Sequence, residues 1–140
     1  MFDRILNRMR DKVRTRNYIS KASEYGIDTS RIYLEGSSAG SMVAVHYAYW
    51  NESEIPSDID QAKWGDSEGT SGNPGYSSAI NGIVNYCGAI VNPAWIDAGE
   101  VPVADFHGLL DTVVPADSGC VYAKFNNTTD SCYVKTYDFD

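Results

Sequence analysis

Histidine is the scarcest reactive residue in this 140-residue chain, with only His46 and His107. Every proton-transfer scheme that needs an imidazole must therefore use one of these two or look elsewhere. The three cysteines, Cys87, Cys120 and Cys132, form no C-x-x-C pair, which excludes the common zinc-finger and dithiol redox spacings. Bases are also short, with 11 Lys and Arg against 19 Asp and Glu. A net charge of -8 argues against a nucleic-acid surface, because phosphate binding needs clustered cations to displace counterions. No apolar run approaches the ~18 residues of a membrane span, and the basic N-terminal stretch is followed by no apolar segment of a secretory signal.

What is present reads as a globular chain, 43% hydrophobic and 12% aromatic, with the length of a single domain or part of one. Seven bases against three acids lie between Met1 and Tyr25, a stretch best read as the solvated face of a helix. Phe2, Ile5, Leu6, Met9 and Val13 recur at helical spacing, and Ile19, Ala22 and Tyr25 continue the stripe to a stop at Gly26. The pattern predicts a helix with an interruption. Short apolar runs predict strands over 31–35, 80–87 and 101–107, with helices over 41–50 and around 116–125 and a last strand over 132–139. Residues 51–78, punctuated by Pro56, Gly65, Gly69, Gly72, Pro74 and Gly75, form a long loop. Strands alternating with helices imply an α/β fold, a mainly parallel sheet covered on both faces, in one domain over 1–140.

One motif carries chemistry. Gly36-Ser37-Ser38-Ala39-Gly40 reads G-x-S-x-G and joins the first expected strand to the next helix. A serine on such a sharp turn is exposed, its flanking glycines permit close backbone approach, and the helix N-terminus offers N–H groups to a developing oxyanion. Ser38 is thus the expected nucleophile and Ala39 the expected oxyanion donor, with Gly36 and Gly40 shaping the turn. A second match, Gly65-Asp66-Ser67-Glu68-Gly69, lies in an acidic loop whose carboxylates would oppose that oxyanion.

The loop after the strand at 101–107 carries Asp111, the expected acid of a nucleophile-base-acid set. It emerges on the same sheet edge as Ser38, because loops at the carboxyl ends of parallel strands share one side. Asp97 is the alternative acid. His46 lies eight residues along the helix from Ser38, about 12 Å up its axis and out of reach of the roughly 3 Å needed for proton transfer. His107 precedes the acid, against the Ser, acid, His order of such folds, and is expected to brace the turn. The base is therefore expected outside this chain. Trp64, Tyr76 and Trp95 are candidates for the walls of a substrate pocket. Asp58, Asp60, Asp66 and Glu68 do not follow a calcium-loop spacing and read as a solvated acidic loop. Cys87 reads as a small buried apolar residue, and Cys120 with Cys132 is either a disulfide of an oxidising compartment or a pair of free thiols.

The stretches YGIDTSRIYLEGSSAG (25–40), SGNPGYSSAINGIVNYCGAI (71–90) and PVADFHGLLDTVVP (102–115) together resemble the C-terminal half of an α/β-hydrolase of the carboxylesterase type, as in bacterial esterase and lipase-like proteins. The resemblance implies a doubly wound sheet that is incomplete at both ends, lacking an upstream His-Gly-Gly-type oxyanion loop and a downstream histidine loop. It also implies an acyl-enzyme on Ser38 with Asp111 as the triad acid. It implies no cofactor or metal, a small or polysaccharide-linked ester as substrate, and an extracellular or periplasmic location. Two other readings remain beside it: a non-catalytic binding module on a hydrolase scaffold, and a prolyl-oligopeptidase-like serine peptidase. The second is disfavoured because such peptidases usually place two glycines where this chain has Gly40-Ser41.

Overall fold

The computed structural model describes residues 2–54, 68, 72–121 and 134–136. The N-terminal apolar stripe forms helix α1, Phe2–Ser20, and a single further turn α2, Ala22–Tyr25. The interruption falls at Lys21. Gly26 closes the second turn with φ of +66°, a left-handed conformation that glycine adopts at no steric cost.

Strand β1, Tyr33–Ser37, runs through Ser38 directly into helix α3, Ala39–Tyr49. Strands β2, Gly82–Tyr86, and β3, Val103–Phe106, follow, and the three pair in parallel in the order β1-β2-β3. The first strand starts two residues later than its apolar run. Arg31 is held in a turn through its N–H to the Asp28 carbonyl (3.0 Å), and the Ile32 N–H is taken by the Asn81 side chain (2.8 Å). Ser37 stands opposite Tyr86 and Tyr86 opposite Phe106, so the three strands end level with one another.

Helix α3 packs on β1 and β2, and α1 packs on α3. With neighbours on two sides, α3 is buried nearly all round, at Ser41, Met42, Ala44, Val45, His46, Tyr47 and Tyr49. Val45, Tyr47 and Tyr49 meet Ile80, Ile83 and Ile90 in the main core.

The expected covering of both sheet faces is corrected for the described residues. Strand order advances in one direction, so right-handed crossovers return on one face only. The first crossover carries α3. The second carries no more than a 3-10 turn, Pro93–Trp95, and Trp95 packs against the same core. The other face presents Tyr33, Tyr86 and Phe106 as exposed side chains, the last two stacked with ring centroids 5.2 Å apart.

A second correction concerns residues 116–125. In place of a helix, residues 116–118 bend and Gly119–Val121 forms β4, which pairs antiparallel with β5, Val134–Thr136, in a separate two-stranded sheet. Residues 122–125 of that expected helix lie outside the described residues. Gly119 explains the bend, since a Cβ there would come within 2.6 Å of the Pro115 ring. Cys120 is disulfide-bonded and Cys87 is a free thiol, while Cys132 lies outside the described residues. No described helix is long and apolar enough to cross a membrane.

The basic face of α1 is also not wholly solvated. Lys12 and Arg16 are buried and grip Glu68: Lys12 Nζ and Arg16 Nη1 both reach its carboxylate, and Arg16 donates to the carbonyls of Glu68 (2.7 Å) and Gly72 (3.2 Å). Glu68 is therefore a tether for the long loop. The other three acids once grouped with it, Asp58, Asp60 and Asp66, lie outside the described residues, as do Trp64 and Ser67. Partial burial pushes the Glu68 carboxyl up, but hydrogen bonds from Lys12 and Ser78 and the charges of Lys12 and Arg16 outweigh it and hold the group below the usual range. A depressed folded-state pKa contributes stability above the unfolded value and loses it as pH falls through the folded one. Glu68→Gln is expected to cost about 1 kcal/mol at neutral pH, a small figure because the carboxylate is half exposed. The difference from the parent should vanish as the medium is acidified below the normal glutamate range, as measured by urea unfolding across pH.

Candidate active site

The turn at Ser38 is built by steric necessity. Ser38 lies between β1 and α3 with φ of +51° and ψ of -118°, a conformation that a residue with a Cβ adopts only when its surroundings impose it. Its N–H continues the sheet ladder to the Tyr86 carbonyl (2.8 Å), and its carbonyl accepts from Met42 N–H (3.0 Å) in the first turn of α3. Ser38 is thereby bonded into the strand on one side and the helix on the other, and its side chain is left at an exposed corner.

The two glycines of the motif differ. A Cβ on Gly36 would fall 2.4 Å from the Gly40 carbonyl carbon and 2.5 Å from Ser41 N, so only glycine lets the helix start this close to the strand. A Cβ on Gly40 would meet nothing within 4 Å. Gly40 is thus not required for room. Ala39 is the first residue of α3, and its N–H belongs to the group that a helix leaves without intrahelical partners. A groove of about 750 Å³ passes Ala39, Gly40 and Val43 between α1 and the outer edge of β1.

Beneath the turn lies a polar cluster that motif reading does not reveal. Asn85, in the middle strand and fully buried, bonds the Ser41 hydroxyl through Oδ1 and the Asp105 carboxylate through Nδ2. Its Oδ1 also accepts the Gly88 N–H at 3.1 Å, and Ser41 Oγ accepts the Tyr86 N–H at 3.1 Å. The signal in the sequence was present as a polar residue inside an apolar strand pattern, Ile83-Val84-Asn85-Tyr86. Gly88 must be glycine here, since a Cβ would lie 2.3 Å from Asn85 Oδ1.

Asp111 sits in the loop after β3, at the same edge as Ser38. Its Oδ1 accepts the N–H groups of Val113 (2.8 Å) and Val114 (3.0 Å), which leaves Oδ2 directed to other partners. Those two N–H bonds, from Val114 first and Val113 second, hold the carboxyl below the usual range, with the nearby His107 adding to the effect. Val114 packs with Met42 and Ala89 in a small core of its own. This fastens the acid loop to the first turns of α3.

Neither histidine links Ser38 to Asp111. His46 is buried on α3, with Nδ1 2.6 Å from the Met42 carbonyl and its ring edge-on to Trp50 and Trp95. His107 braces the acid loop as expected: Nε2 bonds the Val114 carbonyl (2.8 Å) and lies 3.7 Å from Asp111 Oδ2. Asp97, the alternative acid, lies in the turn before β3, where its N–H donates to the Glu100 carboxylate (2.8 Å).

The two aromatic wall candidates do not reach the site. Trp95 stacks on Trp50, with centroids 5.5 Å apart at the C-terminal end of α3, a helix length away from Ser38. Tyr76 lines a cavity with Lys12, Tyr47, Glu68, Ile80 and Val101, residues that precede β2 and β3 and so belong to the opposite edge of the sheet. Gly36, Ser38, Ala39 and Gly40 form one turn, Asp111 lies in a loop at the same end of the sheet, and Tyr76 and Trp95 lie apart from both. No family model, curated protein or solved structure matches the chain.

Two stability outcomes follow from this packing. Gly36→Ala is expected to cost at least about 2 kcal/mol because backbone must shift to admit the methyl, whereas Gly40→Ala stays within about 1 kcal/mol of the parent in the same urea titration. Asn85→Leu is expected to cost about 3 kcal/mol, because the Ser41 hydroxyl, the Gly88 N–H and the Asp105 carboxylate lose a shared buried partner. Equal stability of Asn85→Leu and the parent would show that water replaces the amide.

Proposed function

We propose that the chain carries the nucleophile and acid of a serine carboxylic ester hydrolase, on an α/β-hydrolase type of sheet. The observation that supports this most is the backbone of Ser38, held in a strained conformation at a strand-to-helix corner on the same edge as a hydrogen-bonded, ionised Asp111.

In this reading Ser38 Oγ attacks the ester carbonyl and its proton passes to a base. The Ala39 N–H, at the positive end of α3, helps hold the tetrahedral oxyanion. Collapse expels the alcohol and leaves an acyl-serine, which water then cleaves. Asp111 would orient the imidazole and stabilise its protonated form, as its low pKa suits it to remain charged. The groove beside Ala39 and Gly40 is the concave surface adjoining the turn and the best place for part of the substrate. The base is the missing member. Both histidines of the chain bond backbone carbonyls, so this reading takes its imidazole from outside these 140 residues. That same observation favours a second reading, a hydrolase scaffold that binds a ligand without turnover.

A fluorophosphonate probe separates them. With imidazole added to the medium in place of the base, Ser38 is expected to be labelled, detected by mass spectrometry of the peptide. Labelling should be lost in Ser38→Ala and fall at least about tenfold in Asp111→Asn, in which the orienting charge is gone. Absence of label on Ser38 at every imidazole concentration would discard the hydrolase reading in favour of the non-catalytic scaffold.

A further inference from the structure

One cluster at the active edge has no part in the hydrolase reading. The register that sets Tyr86 opposite Phe106 continues one residue further, where the Cys87 N–H bonds the Phe106 carbonyl at 3.0 Å, and so brings Cys87 beside His107. Cys87, like Ser38, has positive φ, at +52°. Asp111 approaches the same point, with Oδ2 3.7 Å from His107 Nε2. Cys87 Sγ, a ring nitrogen of His107 and a carboxylate oxygen of Asp111 consequently all lie within 4.8 Å of one another, each on a partly buried residue.

We propose that Cys87, His107 and Asp111 form a binding site for a thiophilic divalent cation, with Zn²⁺ the best match. The donor set decides the metal class. A thiolate with an imidazole and a carboxylate suits zinc and disfavours calcium or magnesium, which take oxygen ligands. Three protein ligands leave the fourth tetrahedral position to water.

The supporting bonds fit this use. Asp111 Oδ1 is engaged by backbone N–H groups, and Oδ2, 3.7 Å from His107 Nε2, is the oxygen turned toward the cluster. The ring nitrogen 3.7 Å from Asp111 Oδ2 is Nε2, which also donates to the Val114 carbonyl, so a metal bound at Nε2 replaces that bond and the ring proton moves to Nδ1. Binding releases the Cys87 thiol proton to solvent, forms the sulfur-metal bond and changes no oxidation state.

The triangular arrangement also tells against a thiol-based catalytic relay. In a relay the imidazole stands between nucleophile and acid, whereas here the sulfur and carboxylate are within reach of each other. The site does not rest on the hydrolase reading. If that reading holds, a metal here would occupy the acid that orients the catalytic imidazole and would inhibit the enzyme.

The test uses the 140-residue chain without reductant, so that the Cys120 disulfide stays intact, and Co²⁺ as a spectroscopic stand-in for Zn²⁺. One equivalent should produce a thiolate-to-cobalt charge-transfer band in the near ultraviolet, displaced by Zn²⁺. Zn²⁺ should also slow alkylation of Cys87 by iodoacetamide, followed on the Cys87 peptide. Cys87→Ser should abolish the band, and Asp111→Asn and His107→Gln should each weaken Zn²⁺ binding at least about tenfold in calorimetry. Circular dichroism establishes that each variant is folded. If Cys87→Ser fails to fold, alkylation of the parent and the Asp111→Asn affinity decide. Absence of a charge-transfer band, or alkylation of Cys87 unaffected by Zn²⁺, would overturn the site whatever the fluorophosphonate result.

Discussion

The side-chain amide of Asn85 is the interaction on which the rest of the active edge depends. It lies fully buried in the middle strand and is bonded to α3 through Ser41, to β3 through Asp105 and to the turn after its own strand through Gly88. A buried amide is costly unless its partners are present, and here each bond ties a different segment to the same point. Hydrophobic contacts alone would let α3 slide on the sheet. The amide fixes the helix start relative to the strand ends, and the helix start is where Ser38 sits.

The acid loop is fastened by a different device. Asp111 closes its own loop through two backbone N–H groups, and Val114 fills an apolar pocket with Met42 and Ala89. Met42 follows Ser41 on α3, so the polar anchor and the apolar one meet on adjacent residues of one helix turn. His107 then spends its ring N–H on the Val114 carbonyl. It stabilises the loop that holds Asp111.

How much of this was legible in the sequence follows from the range of each interaction. The strand-turn-helix around Ser38, the interruption of the first helix and the parallel strands are governed by local spacing and glycine placement, and the sequence pattern located them within about two residues. Residues 116–121 failed because the bend depends on Gly119 lying against Pro115 and the strand on pairing with residues 134–136, neither of which a helical period can register. The burial of Lys12 and Arg16 was hidden for the same reason: Glu68, their partner, is more than fifty residues away in the chain. A place for Trp95 beside Ser38 would need its loop to stay at the end of β2. The chain instead turns back, and the indole stacks on Trp50.

The spacing of the edge bears on what could complete it. Ser38, Cys87 and His107 occupy one row across three level strand ends, and neighbouring strands lie about 4.8 Å apart, so Ser38 and the strand that leads to Asp111 are separated by two such steps. A serine oxygen and a carboxylate oxygen joined by one imidazole and two hydrogen bonds of about 3 Å span a comparable distance. Cys87 is at the centre of that row, and its sulfur lies within 4.8 Å of a ring nitrogen of His107 and a carboxylate oxygen of Asp111. The catalytic and metal-binding readings thus compete for one carboxylate. An imidazole would hold it toward Ser38, and a cation toward Cys87.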